Sequence, residues 1–352
     1  ARDRVRIGNE LIVNRLNDWW DPVAGSMMMS PNTFININRG QRDRLGTYAE
    51  WERRWDQRWT SIIGLRNDVV WMNTGNVQGY NAMMYGADTA AFNAVDHART
   101  DVHIDGSALV RYEPNQTSLF ELGFARKTRS PNLYERYAWS TNAMAMRMIG
   151  WFGDGNGYVG NLDLKPEKAH TVSFTAGWHD PAQRIWSVKV SPYASYVQDY
   201  IDVDRCATAT CLASNPANLT ARSGFVYLRF ANHDATLYGV NLEGRLAVWD
   251  NSAYGRGEFW GLVSYTEGQR GDGINLYHMM PINAKLAFDH RLGGWINSIE
   301  LQLVGSKTLV SQVHNELTTP SYALVNLRTG YQWEHVRLDL GVDNLFNQNY
   351  YL

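Results

Sequence analysis

The chain has 352 residues, 44% of them apolar, with 33 basic residues against 35 acidic ones and a net charge of -2. Its mean hydropathy is -0.39 and its isoelectric point is near 6.5. No apolar run reaches the roughly eighteen residues of a transmembrane helix, and no basic stretch carries the interleaved aromatics that would hold a nucleic acid. A membrane barrel stays open, because strands that alternate lipid-facing with lumen-facing residues dilute the mean hydropathy.

Period-two alternation bounded by Gly, Pro, Asn and Asp predicts about thirteen strands, at 6–19, 44–54, 58–72, 105–113, 118–127, 166–178, 184–201, 223–249, 255–267, 279–291, 295–307, 321–333 and 336–344. The stretch 223–249 reads as one long strand with a bulge near Asn232 to Asp234. The last hairpin is the clearest. Ala323, Val325, Leu327, Thr329, Tyr331 and Trp333 alternate with Asn326, Arg328, Gly330 and Gln332. After Glu334 and His335, Val336, Leu338, Leu340 and Val342 are set against Arg337, Asp339, Gly341 and Asp343.

The predicted connections alternate in length. Short turns fall at 55–57, 114–117, 179–183, 250–254, 292–294 and 334–335, and longer loops at 20–43, 73–104, 128–165, 202–222, 268–278 and 308–320. Short turns on one rim and long loops on the other describe an antiparallel up-and-down transmembrane β-barrel with the long loops outside the cell. A propeller or a sandwich has no reason to sort its loops this way. Fourteen Trp and nineteen Tyr fit aromatic girdles at two interfaces, although a carbohydrate-binding β-protein is also rich in them. The inward polar residues Glu300, Gln302, Arg328, Arg337, Asp339 and Asp343 are expected to solvate the lumen wall.

An odd strand number leaves 336–344 without a returning partner, so the expectation is part of a longer barrel. The opening Ala-Arg-Asp carries no initiator Met and no signal-like segment, so either a signal has been removed or the beginning is missing. Cys206 and Cys211 lie five apart in a polar loop, where a disulfide would imply an oxidising compartment. Two unpaired thiols are the alternative.

Four segments resemble TonB-dependent outer-membrane receptors. The carboxyl-terminal stretch Tyr322 to Tyr331, followed by Gly341 to Tyr351, is similar to that family's terminal signature. The run Ala125 to Tyr137 (ARKTRSPNLYERY), Leu164-Lys165-Pro166-Glu167 and Tyr238 to Glu243 (YGVNLE) match its strand-to-loop segments in order. The resemblance implies a barrel of about 22 strands around a plug, active nutrient uptake driven by TonB, outer-membrane lipid as solvent and a Gram-negative outer membrane as location. Residues 1–352 would then be a partial barrel domain, without the plug, about eight early strands and the closing strand. Its final Leu352 is not the family's terminal aromatic.

Ala138 to Met148 and Gly153 to Asn161 resemble the copper-receptor branch of that family, whose best known ligands are a Cys and a Met in the plug and a His-x-Met pair in a barrel loop. Ten of the eleven methionines are clustered: Met27, Met28 and Met29; Met83 and Met84; Met144, Met146 and Met148; Met279 and Met280. Thioethers are soft, uncharged ligands suited to Cu(I), and these clusters all map to the long-loop rim. Alternate spacing would set Met144, Met146 and Met148 on one side of an extended segment. His278-Met279-Met280 offers a His-x-Met pair. Packing of irregular gaps is the alternative for every cluster, and a surface histidine without a partner is the expectation for His97 and His103.

Gly155-x-Gly157-x-x-Gly160 matches a dinucleotide fingerprint in letters, but no strand precedes it and no helix is expected after it. Asp154-Gly-Asn156-Gly lacks the later acidic ligands of a calcium loop. No nucleophile, base and acid arrangement suggests an enzyme, and no catalytic cofactor is expected. The functions left standing are a TonB-dependent importer with copper as cargo, a receptor for an iron-siderophore or other metal chelate on the same barrel, and a passive porin.

Overall fold

The computed structural model describes residues 2–207, 211 and 216–351. Leu352 lies outside the described residues. Thirteen strands form one antiparallel sheet in sequence order, each hydrogen-bonded to its chain neighbours. They are β1 Asp3–Trp20, β2 Phe34–Arg54, β3 Trp59–Asn73, β4 Arg99–Asn115, β5 Ser118–Arg129, β7 Glu167–His179, β8 Trp186–Arg205, β9 Tyr227–Asn251, β10 Gly255–Arg270, β11 Asn283–Leu292, β12 Trp295–Val304, β13 Tyr322–Gln332 and β14 Arg337–Val342. Among the described residues β1 and β14 do not pair, so the sheet is an open part of a barrel.

All thirteen predicted strands are present, with three corrections. β2 begins ten residues earlier than expected, at Phe34, because Phe34 and Ile37 turn into a buried cluster that the pattern did not reveal. β9 is a single strand as expected, but the irregularity belongs to its partner. Val197 pairs with Ala235 and Tyr200 with His233, so β8 carries the extra residue at Asp199, which adopts φ 56°. A fourteenth strand, β6 Gly157–Val159, pairs in parallel with the start of β9 from inside a loop.

The register puts like with like. Trp51 faces Ile63, Ile63 faces Ala108, Ala108 faces Phe124 and Phe124 faces Val172, giving a continuous apolar belt across five strands. The opposite face carries charge ladders. Glu10 accepts from Arg44 and Arg66, Arg66 also reaches Asp68 at 2.6 Å, Arg111 reaches Glu121 at 2.7 Å, and Arg328 reaches Asp343 at 2.7 Å. Many of the apolar side chains on the first face are exposed, among them Ile7, Leu65, Ile104, Leu122, Val172 and Leu340. Lipid is the solvent that such a belt needs.

Short turns close one rim. Asp56 Oδ1 accepts the N–H groups of Arg58 and Trp59 at 2.7 and 2.8 Å in the first turn, and Gly293 at φ 56° makes the β11–β12 turn. Paired aromatics gather there: Trp59 stacks on Tyr112 with ring centres 4.3 Å apart, and Trp295 meets Tyr331 edge-on at 5.0 Å. That is one aromatic girdle.

The opposite rim holds the long connections and, among the described residues, all the helices. These are α1 Ala82–Asn93, α2 Leu133–Tyr137, α3 Ala143–Met148 and α4 Pro216–Thr220. The glycines of the dinucleotide-like run serve close packing: a Cβ on Gly160 would lie 2.9 Å from the Ala138 backbone, and one on Gly157 2.6 Å from Tyr227.

Candidate functional site

The long-loop rim is fastened into a cap, and its first anchor explains two of the family-like motifs. Asn132 and Glu135 form a capping box at the start of α2, and Arg129 reaches Glu135 at 3.0 Å and Glu167 at 2.7 Å. Glu167 in turn accepts the Ile201 N–H at 3.1 Å. The segments around Arg129 and Pro166 therefore meet through one charge-assisted network that joins β5, β7 and β8. Arg136, 2% exposed, donates to the Leu164 carbonyl at 2.7 Å and pairs with Asp101 at 3.3 Å.

Beneath the cap, Phe34 is the centre of an aromatic cluster. Trp139 stacks on it at 5.1 Å and 10°, and Trp20, Tyr80 and Tyr85 surround it with ring centres 4.9 to 5.4 Å away. Burial pushes the Tyr85 hydroxyl up to about 12, and that oxygen has no hydrogen-bond partner in the structure. Met29, Met84, Met144 and Met148, from three separate loops, pack partly buried around this cluster. Asn81 draws two of those loops together: its side-chain oxygen caps α1 at the Met84 N–H, and its amide donates to the Met27 and Ser30 carbonyls.

The methionine triplet is not a single ligand set. Residues 143–148 are helical rather than extended, so Met144 and Met148 share a face one turn apart while Met146 points the other way. Met146, fully buried, joins Val159, Cys206 and Cys211 instead. Met27 and Met83 are each 81% exposed, and Met28 and Met280 are exposed as well.

His278 lies in the loop before β11 and not at a strand start, at φ 57°, with its ring stacked on Tyr277 at 3.9 Å. His97 and His103, expected at the surface, are buried and engaged. The His97 ring nitrogens meet the Thr74 and Phe92 carbonyl oxygens at 3.0 and 2.8 Å, and His103 Nε2 meets Ser130 Oγ at 2.7 Å. Neither is open to a metal. Among the described residues no group of three His, Cys, Asp or Glu side chains forms a metal cluster.

The two cysteines, both near the start of the β8–β9 loop, lie buried together. The hydrogen bond with Cys211 and then burial push the Cys206 thiol up.

The profile described as "TonB dependent receptor-like, beta-barrel" matches residues 6–345. The chain belongs to that family. The receptor is 25% identical over 292 residues to heme/hemopexin utilization protein C of Haemophilus influenzae, a match covering 72% of this chain and 38% of the relative. Its fold is similar to copper transporter OprC, with a TM-score of 0.70 and 16% identity over all of this chain and 49% of that one. It is also similar to the ferric yersiniabactin uptake receptor FyuA from Yersinia pestis, with a TM-score of 0.61 and 14% identity over 99% of this chain and 47% of that one. The receptor chain thus spans about half the length, or less, of the proteins it matches.

Sequence reasoning missed the interlock of the outer loops. Asp154 accepts the hydroxyls of Tyr158 at 2.6 Å and Tyr277 at 2.9 Å, and Tyr277 stacks face to face on buried His314 at 3.8 Å and 3°. Asn156 donates to the His314 carbonyl and accepts the Val226 N–H. Arg205 donates to the carbonyls of Val313, Asn218, Ala221 and Gln312 and to Asn315 Oδ1. Such contacts join residues up to 158 positions apart and leave no local signal.

Proposed function

We propose that residues 1–352 are the greater part of the barrel wall of a TonB-dependent importer in the outer membrane of a Gram-negative bacterium, and that its cargo is copper. TonB would engage parts of the protein that precede this segment, and the bilayer would solvate the apolar belt. The observation that carries the cargo reading is the convergence of Met29, Met84, Met144 and Met148 from three loops onto one aromatic cluster at the outer rim. Thioethers hold Cu(I) without needing to lose a proton, and they withstand an oxidising exterior better than thiolates. The exposed Met27 and Met83 would meet the ion first. Receptor action needs no catalytic residues.

A chelate receptor is the second reading. It is favoured by the line of rings Tyr134, Trp151, Phe152 and Tyr277, with successive centres 5.3, 6.0 and 5.2 Å apart, on which a flat chelate could stack.

The test is metal content of the full-length protein in detergent after exposure to limiting Cu, Fe and Zn together, beside Met144→Leu/Met148→Leu and Met29→Leu/Met84→Leu. Leucine keeps the volume and removes the sulfur. Copper that falls in both variants supports the reading. Copper unchanged in both, or no copper in wild type, overturns it.

A further inference from the structure

Three sulfurs from two loops meet behind α3. Met146 Sδ lies 3.4 Å from Cys211 Sγ across 65 residues of sequence, Cys206 packs in the same buried cluster, and Met146, Cys211 and Cys206 are 0, 2 and 1% exposed in that order. Val159 and Tyr227 pack against them. We propose that Cys206, Cys211 and Met146 form a binding site for Cu(I).

Two thiolates and a thioether are a soft donor set, which selects Cu(I) over the harder ions that prefer carboxylate or imidazole. Zinc is less well served, since its structural sites take four ligands from Cys, His and carboxylates. Ligand sulfurs about 2.3 Å from a shared ion stand roughly 3.9 Å apart in a trigonal arrangement. The Met146–Cys211 separation of 3.4 Å needs roughly half an ångström of outward movement, which the flexible methionine side chain allows.

Binding balances without an oxidant. Each cysteine releases its proton to solvent and forms a Cu–S bond, Met146 adds a lone pair, and the ion stays Cu(I). The product carries one net negative charge, and the Arg229 guanidinium, whose charge already acts on Cys206, offsets it. A Cys206–Cys211 disulfide, the pairing their spacing suggests, has no thiolate to offer, so the oxidised and metal-bound states exclude one another. The assignment rests on the sulfur geometry and stands whether or not copper is the cargo.

The test uses full-length protein in detergent, under argon with a mild reductant, titrated with Cu(I) as its acetonitrile complex against a chromogenic Cu(I) chelator. Wild type, Cys206→Ser/Cys211→Ser and Met146→Leu are compared, with thiols counted in parallel. The expected result is one more copper per chain in wild type than in the double serine variant, in an all-sulfur environment by X-ray absorption. That copper is absent from the double serine variant and held roughly tenfold or more weakly in Met146→Leu. Copper equal in wild type and the double serine variant overturns the proposal, as does a wild-type protein with no titratable thiol under these conditions. An unchanged affinity and spectrum in Met146→Leu removes the third sulfur and overturns the site as assigned.

Discussion

Acid should loosen the outer cap through His314. Its ring is 3% exposed, Nδ1 meets Ser311 Oγ at 2.9 Å, and Nε2 is buried with no partner in the structure. Burial lowers its pKa from the usual 6.5 to about 3; Asp154 opposes the shift, while His278, Arg270 and Arg205 add to it. The folded value lies below the unfolded one, so between these two pH values the opened cap binds a proton that the closed cap refuses. Stability of the closed form therefore falls as pH falls through 6.5 and levels off near 3. At pH 5 the two values give a loss of about 2 kcal/mol relative to neutral pH, or roughly thirtyfold in the opening equilibrium. Hydrogen exchange at pH 7.5 and 5, corrected for intrinsic rates, should show lost protection in peptides covering 271–282 and 305–321 and none in β12. His314→Gln should abolish the difference. Equal loss in wild type and His314→Gln, or no loss in wild type, would refute the reasoning.

Arg205 donates five hydrogen bonds to two loops. Removing a charged donor from partly buried acceptors costs about 3 kcal/mol, so Arg205→Ala should raise the rate of proteolytic nicking within 306–318 and 216–222 by roughly a hundredfold, with cleavage outside these two loops unchanged. At the other rim, burial raises the Asp180 pKa, but the backbone N–H groups of Trp186, Ile185, Arg184 and Ala182 outweigh it and hold the carboxylate at about 2. That depressed value means its contribution is complete above about pH 4 and lost as pH falls through 2. Asp180→Asn should lower the urea midpoint at pH 7 and match wild type near pH 2, and a deficit that persists at the lower pH would count against this account.

The wall was legible because lipid and lumen impose a period of two on every strand, so Leu338 and Leu340 announce their face one strand at a time. The loops obey no such rule. Asn142 caps a short helix at Met144, which turned an expected row of three sulfurs into two plus one. His97 looked like a surface residue because the carbonyls that engage it come from Thr74 and Phe92, and nothing in the letters shows that. The buried Phe34 extended β2 through contacts with Trp139, over a hundred residues away. Motif resemblance did reach one non-local contact, since Arg129 and Glu167 sit in segments that resembled the family and meet in the structure.

The strands differ greatly in length, 25 residues in β9 against 10 in β12. At about 3.3 Å per residue and a tilt near 40°, that difference amounts to a wall standing roughly 40 Å higher on one side than on the other. On the β12 side the loop 305–321 makes up that height, since Val313, Gln312 and Asn315 reach Arg205 at the outer end of β8. A bulky visitor such as an antibody or a bacteriocin would collide with rigid strand at the β8–β9 crest, and with loop at the β12–β13 side, before it came near the aromatic floor. Size selection at the cell surface could thus begin with the outline of the parapet, before any side chain has been touched.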